Sequence, residues 1–527
     1  MAQQITQLKE ERKQLISEIL QSDLHGKRIY LLGSAEFGPT NEPILVKSTV
    51  GLYNKFGKQG TLIDAFHALK YTSKDNMVYL VKTTGEHATA YLNVNIVNGE
   101  IIENAFTLAA SQSNEIFNDI EIVIDVDKIT FVFPEDLGIK DVEYYYSDYP
   151  TMDKLASAIN KDTKQQRNCI YAYYSVDPST PVQHAFFACN PTSIYMYGGQ
   201  CGLNYSKNLL YNCLRNTYEV LESHDIDLII PVDAFMDDIH PDDSEGTQHQ
   251  YNMTYYQHTK DYLTEDFSGK LSFMNQLLDF CIKQLNFGIV TTGIIGFNSS
   301  YKYWSDYLTE ADDIANMYKA CYEYNLSCCK NSFYAFLVSV VGGDIRYNKG
   351  TIIDNGYLAY AALCAKTIIT TGTTNIPISD TISLYHEFSE DTLRKLSDVG
   401  IVTFRHSPLY ETPVVYDGVT ASPKNENLKL YCNVRMIQIC MSYINKLFQH
   451  YVGYDMTQLI KEHIISNDLT NILKILASRN IITKYDFNIV PYYAKGEIKV
   501  YLNLMTCYMV KSVQICSVIN VEFAEEE

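Results

Sequence analysis

Several features that mark common classes of protein are absent from this chain of 527 residues. It contains no run of about 18 apolar residues, so no membrane-spanning helix and no membrane anchoring are expected. Its first residues show no basic stretch followed by an apolar one, which argues against a secretory signal peptide. We therefore expect a soluble protein that is made and kept in a cytoplasm.

Tryptophan is nearly absent, with one residue, whereas tyrosine reaches 43. A tyrosine ring offers both apolar area and a polar tip, so this excess fits either protein interfaces or strand-rich cores. The 13 cysteines include no C-x-x-C pair. Scattered buried thiols in a reducing compartment therefore fit better than a zinc site or a disulfide framework.

The motifs of common catalytic and nucleotide-binding sites are also missing. The chain has no G-x-x-x-x-G-K-[ST], G-x-G-x-x-G, G-x-S-x-G or H-E-x-x-H. Its formal net charge is −20, and no basic stripe offsets that field, so direct binding to nucleic acid is not expected. We predict a protein that is not an enzyme and that uses no cofactor and no metal.

The pattern along the chain predicts an α/β protein with several domains. Apolar residues make up 46% and charged residues 20%, which is a globular composition. Strands separated by helices of crossover length favour a parallel sheet, and short β-branched strands set one segment apart. The predicted segments are an N-terminal helical arm (1–27), an N-terminal α/β domain (28–90), a β-rich inserted module (91–195), a second α/β domain (196–395) and an α+β C-terminal domain (396–527).

Apolar side chains mark both ends of the chain. Near the start, Leu8, Leu15 and Ile19 lie on one stripe of the predicted helix, which packs either on its own domain or on another copy. The last predicted strand, of about eleven residues, would span about 36 Å. From its pattern alone, pairing within its own domain and pairing with another copy are equally open. Its apolar residues are Val513, Ile515, Ile519, Val521 and Phe523.

An acidic cluster is the first candidate for a ligand site. Asp237, Asp238, Asp242 and Asp243 surround His240 after a presumed parallel strand, where a divalent cation could bind. No D-x-[DN]-x-[DN]-G spacing and no second histidine accompany them. A solvated acidic loop is therefore the favoured interpretation.

The pair Arg405 and His406 is the second candidate, within the apolar hairpin of residues 396–422. A catalytic role would require a nucleophile or a carboxylate partner from elsewhere in the chain. A polar corner between two strands needs only local hydrogen bonds or a contact to a neighbouring chain. The structural role is the favoured interpretation.

Four stretches together resemble the contractile tail sheath proteins of bacteriophages and of related injection machines. They are IYLLGSAEFGPTNEPILVKSTVGLYNKFG with the following DAFHALKYTSKDNMVYLVKTT; DIDLIIPVDAF; YLAYAALCAKTIITTGTTNIPIS running into EFSEDTLRKLSDVGIVTFRHSPLYETPVVYDGVTAS; and residues 434–523, which begin with an Arg-led helix. The likeness is one of order and spacing from about residue 28 to 523. It departs from the family in the first 25 residues, whose pattern predicts a helix where many sheath proteins have an extended arm with a short strand.

The resemblance implies an α/β core that is subtilisin-like in shape without being a protease, and a C-terminal domain that faces a tail tube. It implies a virion structural subunit that stacks as hexameric rings, contracts to drive the tube through the host envelope, and is assembled in the host bacterial cytoplasm. The implied partners are further copies of itself, the tail tube protein, and baseplate and tail terminator proteins. It also favours exchange of the strand that contains Val513 and Phe523 between copies, and docking of the Leu8, Leu15 and Ile19 stripe on a neighbour.

Two alternatives remain open at this point. The chain could be a sheath-like collar, terminator or baseplate protein that assembles as a single ring, which the unusual N-terminus favours. A hydrolase that acts through Asp237, Asp238 or His240 is the third interpretation.

Overall fold

The fold is described by a computed structural model. It describes residue 17 and residues 28–72, 77–83, 87–98, 100–111, 115–182, 192–201, 207–222, 224–236, 272–297, 311–327, 329, 331–347, 353–378, 381–384, 387–422 and 427–506.

The helices and strands follow the chain in four groups. The first group is β1 (Arg28–Gly33), β2 (Ile44–Val46), α1 (Thr49–Phe56), α2 (Thr61–Thr72) and β3 (Met77–Lys82). The second is β4 (His87–Ala88), β5 (Tyr91–Asn98), β6 (Glu100–Ala110), β7 (Glu121–Ile124), β8 (Lys128–Val132), β9 (Val142–Tyr145), α3 (Met152–Lys164), β10 (Ile170–Tyr174), β11 (Thr192–Tyr195) and β12 (Gln200–Cys201). The third is α4 (Lys207–Leu221), β13 (Leu228–Pro231), α5 (Phe273–Asn286), β14 (Thr292–Gly296), α6 (Ala311–Ser327), β15 (Val338–Val341), β16 (Asp344–Tyr347), β17 (Ile353–Asn355), α7 (Gly356–Lys366), β18 (Thr381–Leu384), α8 (Glu390–Val399) and β19 (Ile401–Val402). The fourth is β20 (Phe404–Arg405), β21 (Val414–Val415), α9 (Tyr431–Gln449), α10 (Met456–Lys461), α11 (Ile464–Ser478), β22 (Ile482–Tyr492) and β23 (Glu497–Thr506).

A seven-stranded sheet in the order β2-β3-β1-β13-β14-β15-β19 organises the α/β part. Its neighbouring strands run parallel except for β2 and β3. The sheet takes strands from both segments that the sequence analysis separates, 28–90 and 196–395, and also from residues 401–402. The predicted domain boundaries remain predictions.

The central strands are buried on both faces, which explains their continuous apolar sequences. In β1, Tyr30 and Leu32 enter a core that also includes residues of α4, α5, α6 and α8. Ile29 and Leu31 enter the opposite core with residues of α1, α2 and α7. The α/β part therefore has three layers, with helices on both sides of the sheet.

Residues 87–201 form a unit with its own hydrophobic core. A three-stranded sheet (β10-β6-β5) and a four-stranded sheet (β11-β7-β8-β9) share that core with α3 through side chains such as Phe106, Phe131 and Ile159. The short pair β4–β12 joins the two ends of this unit. It corresponds to the β-rich segment that the sequence pattern sets apart.

The C-terminal part packs three helices against a long hairpin. Sequence periodicity predicts one helix over residues 456–480, but this prediction is wrong because the helix breaks at His463, where φ is +52°. In an unbroken helix Leu459 and Ile465 would point about 120° apart, since each residue turns the helix by about 100°. The break lets both side chains enter the same core.

Helix α8 shows how local sequence sets the boundaries of an element. The Ser389 hydroxyl accepts a hydrogen bond from the main-chain N–H of Thr392, which caps the first turn. Gly400 ends the helix with φ +103°, and a Cβ at that position would lie 2.7 Å from the Thr420 carbonyl oxygen. The chain then turns directly into β19.

Candidate functional site

Polar groups of the protein hydrogen-bond one another at the position where parallel α/β sheets usually bind ligands. The strand order reverses between β1 and β13, so this position lies at their carboxyl ends. The main-chain N–H of Ser34 donates to Asp233 Oδ2 at 3.0 Å and lies 2.9 Å from Thr61 Oγ1. The hydroxyls of Ser34 and Thr61 are 3.0 Å apart. Each of these polar groups thereby has a hydrogen-bond partner within the protein. The contacts hold β1, β13 and the start of α2 together at this position.

The acidic cluster that follows β13 lies largely outside the described residues. Asp233 is described and is 9% exposed, whereas Asp237, Asp238, His240, Asp242 and Asp243 are not described. Within the described ranges, no group of three or more His, Cys, Asp or Glu residues could hold a metal ion. A cation site in the acidic segment stays a hypothesis, and the spacing of its acidic residues argues against it.

An ion-pair cluster at the amino ends of the central strands connects helix α9 to the core. Arg28 donates from Nε and Nη2 to the two carboxylate oxygens of Asp227, at 3.0 and 2.9 Å, and also pairs with Asp225. Burial by itself would lower the pKa of the Arg28 guanidinium, but the two carboxylates outweigh burial and raise that pKa. Gln438 of α9 donates to the carbonyl oxygens of Asp227 and Val290 at 2.8 and 2.7 Å. Helix α9 is thereby attached to the amino ends of β13 and β14.

A second buried contact of α9 reaches the end of α7. Arg435 is 3% exposed and donates from Nη1 to the main-chain carbonyls of Cys364 and Thr367. The last carbonyls of a helix lack partners inside it and carry partial negative charge, so a cation there is favourable. Arg435 is the arginine of the Arg-led helix, and its role as a C-terminal cap of α7 was not visible from sequence.

The hairpin β22–β23 has a partly buried face and two open edges. Tyr485, Phe487, Ile498 and Val500 are among the side chains that pack on the core of α9 and α11. Within the described part of the chain, neither strand pairs with a third strand. Each edge therefore presents a row of main-chain donors and acceptors that another strand could use.

A groove of about 650 Å³, with polar and apolar surface in similar amounts, lies beside β23. Met441 and Phe448 of α9, Leu459 of α10, and Val500 and Leu502 of β23 contribute to its walls. The groove lies alongside a strand that can accept a further strand. This combination is suited to binding an extended apolar segment, by main-chain hydrogen bonds to β23 and by side-chain packing in the groove.

Arg405 and His406 form a surface corner. Arg405 donates to Asn375 Oδ1 at 2.8 Å, pairs with Glu390 at 3.3 Å and lies over the Tyr416 ring. His406 Nε2 lies 3.2 Å from Glu387 Oε1. These contacts join the strand pair β20–β21 to the start of α8, which fits the structural interpretation of this pair.

None of the eight described cysteines forms a disulfide, and seven of them are buried. Burial raises the pKa of Cys169 to about 12 and that of Cys432 to about 11, so both remain protonated at neutral pH. A protonated, enclosed thiol is a poor nucleophile and a poor metal ligand. The prediction of scattered buried thiols is confirmed for these residues.

The predicted inter-subunit contacts fall outside the described residues. This applies to Leu8, Leu15 and Ile19 of the arm and to the terminal strand that contains Val513, Ile515, Ile519, Val521 and Phe523. The hairpin that carries the open edges has a sequence signal, because Tyr485, Phe487 and Ile489 alternate with polar residues as in a half-buried strand. None of the helices in the described ranges is long and apolar enough to cross a bilayer.

Comparison with known proteins identifies the fold. No sequence-family model matches the chain, and no curated protein sequence matches it. A sheath tail protein from Listeria innocua has a TM-score of 0.54 at 12% identity, with 95% of this chain and 99% of that chain covered. A sheath tail protein from Desulfitobacterium hafniense has a TM-score of 0.51 at 10% identity, with 92% and 98% covered.

The chain therefore shares the fold of these two sheath tail proteins. At these identities the likeness concerns the fold alone. The resemblance that the order of sequence segments indicated is confirmed at this level. The mixed α/β architecture with several domains is confirmed as well.

Proposed function

We propose that this chain is a structural subunit of a contractile tail sheath. It polymerises as stacked hexameric rings around a tail tube and contracts to drive the tube through a host envelope. Its partners are further copies of itself, the tube protein, and baseplate and tail terminator proteins. It acts without catalysis in the virion tail, after assembly in the host bacterial cytoplasm, and its α/β core corresponds to the subtilisin-like domain of the family.

The open hairpin β22–β23 is the observation that carries this proposal. A two-stranded sheet is marginal by itself and is stabilised here on one face by α9 and α11. Its edges are available for strand addition, which links subunits through main-chain hydrogen bonds while leaving the domains free to rotate. A contracting polymer needs such a connection, because its rings must change their mutual packing without separating.

The groove beside β23 indicates what the added strand looks like. Phe448, Leu459 and Leu502 offer apolar contacts along one side, and the ten residues of β23 span about 33 Å. The terminal segment from Val513 to Phe523 has a similar length and one apolar face. We assign this segment of one copy to the groove of another copy, and the stripe of Leu8, Leu15 and Ile19 to a contact with an adjacent protomer.

Contraction then follows from two alternative packings of the same rigid subunits. The extended polymer is held by a kinetic barrier and the contracted polymer has the lower free energy. No nucleotide hydrolysis is required, and the hydrogen bond between Ser34 and Asp233, which joins β1 to β13, fits a domain that serves as a rigid body. A protein of this fold that forms a single ring, as a collar, terminator or baseplate component, is the alternative.

Electron microscopy of the purified chain tests the proposal. We expect tubular polymers for the full chain and unpolymerised, folded protein for a chain that ends at Thr506. A chain that lacks only the acidic residues Glu525, Glu526 and Glu527 is the matched control and should form tubes. Normal tubes from the chain that ends at Thr506 would contradict the strand assignment, and isolated rings from the full chain would support the ring alternative.

Photo-crosslinking separates exchange between copies from pairing within one copy. A photoreactive amino acid in place of Val521 should crosslink to the groove around Phe448 of a different chain. Mass spectrometry of mixed isotopically light and heavy chains identifies such products. Crosslinks confined to light–light and heavy–heavy products in assembled tubes would show that the strand returns to its own domain.

A further inference from the structure

The sheet β10-β6-β5 carries a surface that is rich in tyrosine and free of charge, which we call the tyrosine face. Its other side packs into the core of the 87–201 unit through residues such as Leu92, Leu108 and Ala172. Strand pairing places the outward residues in two rows. One row holds Tyr171, Ala109, Tyr91 and Tyr197, and the next holds Tyr173, Thr107 and Asn93.

The rings of this face are substantially open to solvent. Tyr173 is 56% exposed, Tyr197 47% and Tyr91 37%. The Tyr91 and Tyr197 rings contact each other with centroids 4.4 Å apart and planes at 55°. They therefore form one continuous aromatic corner.

Polar groups lie directly beside the rings. Thr107 Oγ1 donates to Asn93 Oδ1 at 2.8 Å, which orients the Asn93 amide. The N–H₂ group of that amide has no hydrogen-bond partner among the described residues. The face thus combines aromatic surfaces with an amide donor and hydroxyl groups that can both donate and accept.

We propose that the tyrosine face binds a neutral polysaccharide. The π face of an aromatic ring is electron-rich and attracts the weakly positive C–H groups on the flat side of a pyranose ring. The amide and hydroxyl groups match the hydroxyls of a sugar. Tyr171 and Tyr91 lie two strands apart, or about 9.6 Å, which is comparable with two linked hexose rings.

The absence of charge on these seven outward residues favours this class of ligand over others. A nucleic acid, an anionic polysaccharide or an anionic lipid would meet the field of a chain with net charge −20 and no cation on this face. Tyrosine is also enriched in protein interfaces, so a protein partner is the alternative that the variants below distinguish. A neutral sugar chain needs no cation on this face.

Binding is tested with the full chain, by fluorescence anisotropy of dye-labelled cellohexaose, chitohexaose and maltohexaose. We expect saturable binding of at least one of them, unchanged between about 0.05 and 0.5 M salt because no ion pair contributes. The double variant Tyr91→Ala with Tyr173→Ala should weaken that binding by about tenfold or more. The double variant with Phe at the same two positions retains the rings and should lose less than about threefold.

A variant elsewhere in the same unit supplies the matched control. Tyr145→Ala removes a tyrosine that is 40% exposed on the other sheet, and it should leave binding unchanged. The proposal is overturned if none of the three oligosaccharides binds saturably, or if the Ala double variant binds as well as the unchanged protein. If that variant instead loses contacts between copies, the face is a protein interface and the proposal is wrong. None of these outcomes depends on whether the chain forms a contractile sheath.

Discussion

The main-chain N–H of Ser34 donates to the carboxylate of Asp233 at 3.0 Å, across the point where the order of strands in the central sheet reverses. Both groups are almost fully enclosed, and Thr61 completes the contact. In an α/β enzyme this place is commonly occupied by a ligand. Here it fixes the relative position of β1 and β13, which come from segments almost two hundred residues apart.

Asp233→Ala should therefore lower the stability of the fold. The loss of this buried carboxylate leaves the Ser34 N–H with Thr61 Oγ1 as its remaining acceptor and removes the contact between β1 and β13, and we expect the free energy of unfolding to fall by about 1–3 kcal/mol. Urea unfolding followed by circular dichroism measures it. Asp398→Ala, which removes an exposed ion pair with Lys429, is the control and should change stability by less than about 0.5 kcal/mol. Equal effects of the two substitutions would contradict the structural role of Asp233.

Arg435 makes a second prediction about how the domains are joined. Arg435→Met keeps most of the buried volume but leaves the carbonyls of Cys364 and Thr367 without their donor. We expect a loss of about 2 kcal/mol in the free energy of unfolding, seen as a lower urea midpoint. Arg394→Met removes an exposed arginine of α8 and is the control. An unchanged midpoint for Arg435→Met would show that the cap contributes nothing.

Local sequence patterns predicted many elements but not their long-range contacts. The apolar runs of β1, β13 and β14 identify these strands, because strands buried on both faces are apolar throughout. The pairing of Arg28 with Asp227 and of Ser34 with Asp233 joins residues 199 positions apart, and no local pattern encodes such contacts. The strand β22 was missed although Tyr485, Phe487 and Ile489 alternate with polar residues.

The position of the groove shows the same limit. Its walls come from α9, α10 and β23, and their meeting depends on the helix break at His463. The continuous helical periodicity gives no sign of that break. The sequence indicated the apolar segment from Val513 to Phe523. It did not indicate the groove, because the groove forms only where α9, α10 and β23 pack together.

Phe448→Glu tests the groove within an intact chain. Phe448 is partly buried at the groove, so a carboxylate there would be desolvated by an incoming apolar strand. We expect folded protein by circular dichroism but no tubular polymers in the electron microscope. Phe333→Glu is the control, because Phe333 is 71% exposed and does not line the groove. Normal tubes from Phe448→Glu would show that strand docking in this groove is not needed for assembly.

The buried thiols predict how stability changes at high pH. Burial raises the pKa of Cys432 from 9.0 to about 11, so above about pH 9 the unfolded chain loses this proton while the folded chain keeps it. The unfolded state is then favoured, and the contribution that is fully present below pH 9 is lost as the pH rises through the folded value of about 11. The loss is at most ~1.4 kcal/mol for each pH unit in that interval.

Cys432→Ala removes this proton and should therefore reduce the fall in unfolding free energy between pH 9 and 11 by about 1–3 kcal/mol relative to the unchanged protein. Buried tyrosines such as Tyr30 continue to destabilise both proteins at higher pH, since burial raises the pKa of Tyr30 to about 12. The difference between variant and unchanged protein isolates the thiol. Cys329→Ala removes a thiol that is only partly buried, and it is the control: its urea midpoint should fall with pH in parallel with that of the unchanged protein. Parallel pH curves for Cys432→Ala and the unchanged protein would mean that Cys432 ionises as readily in the folded chain as in the unfolded one.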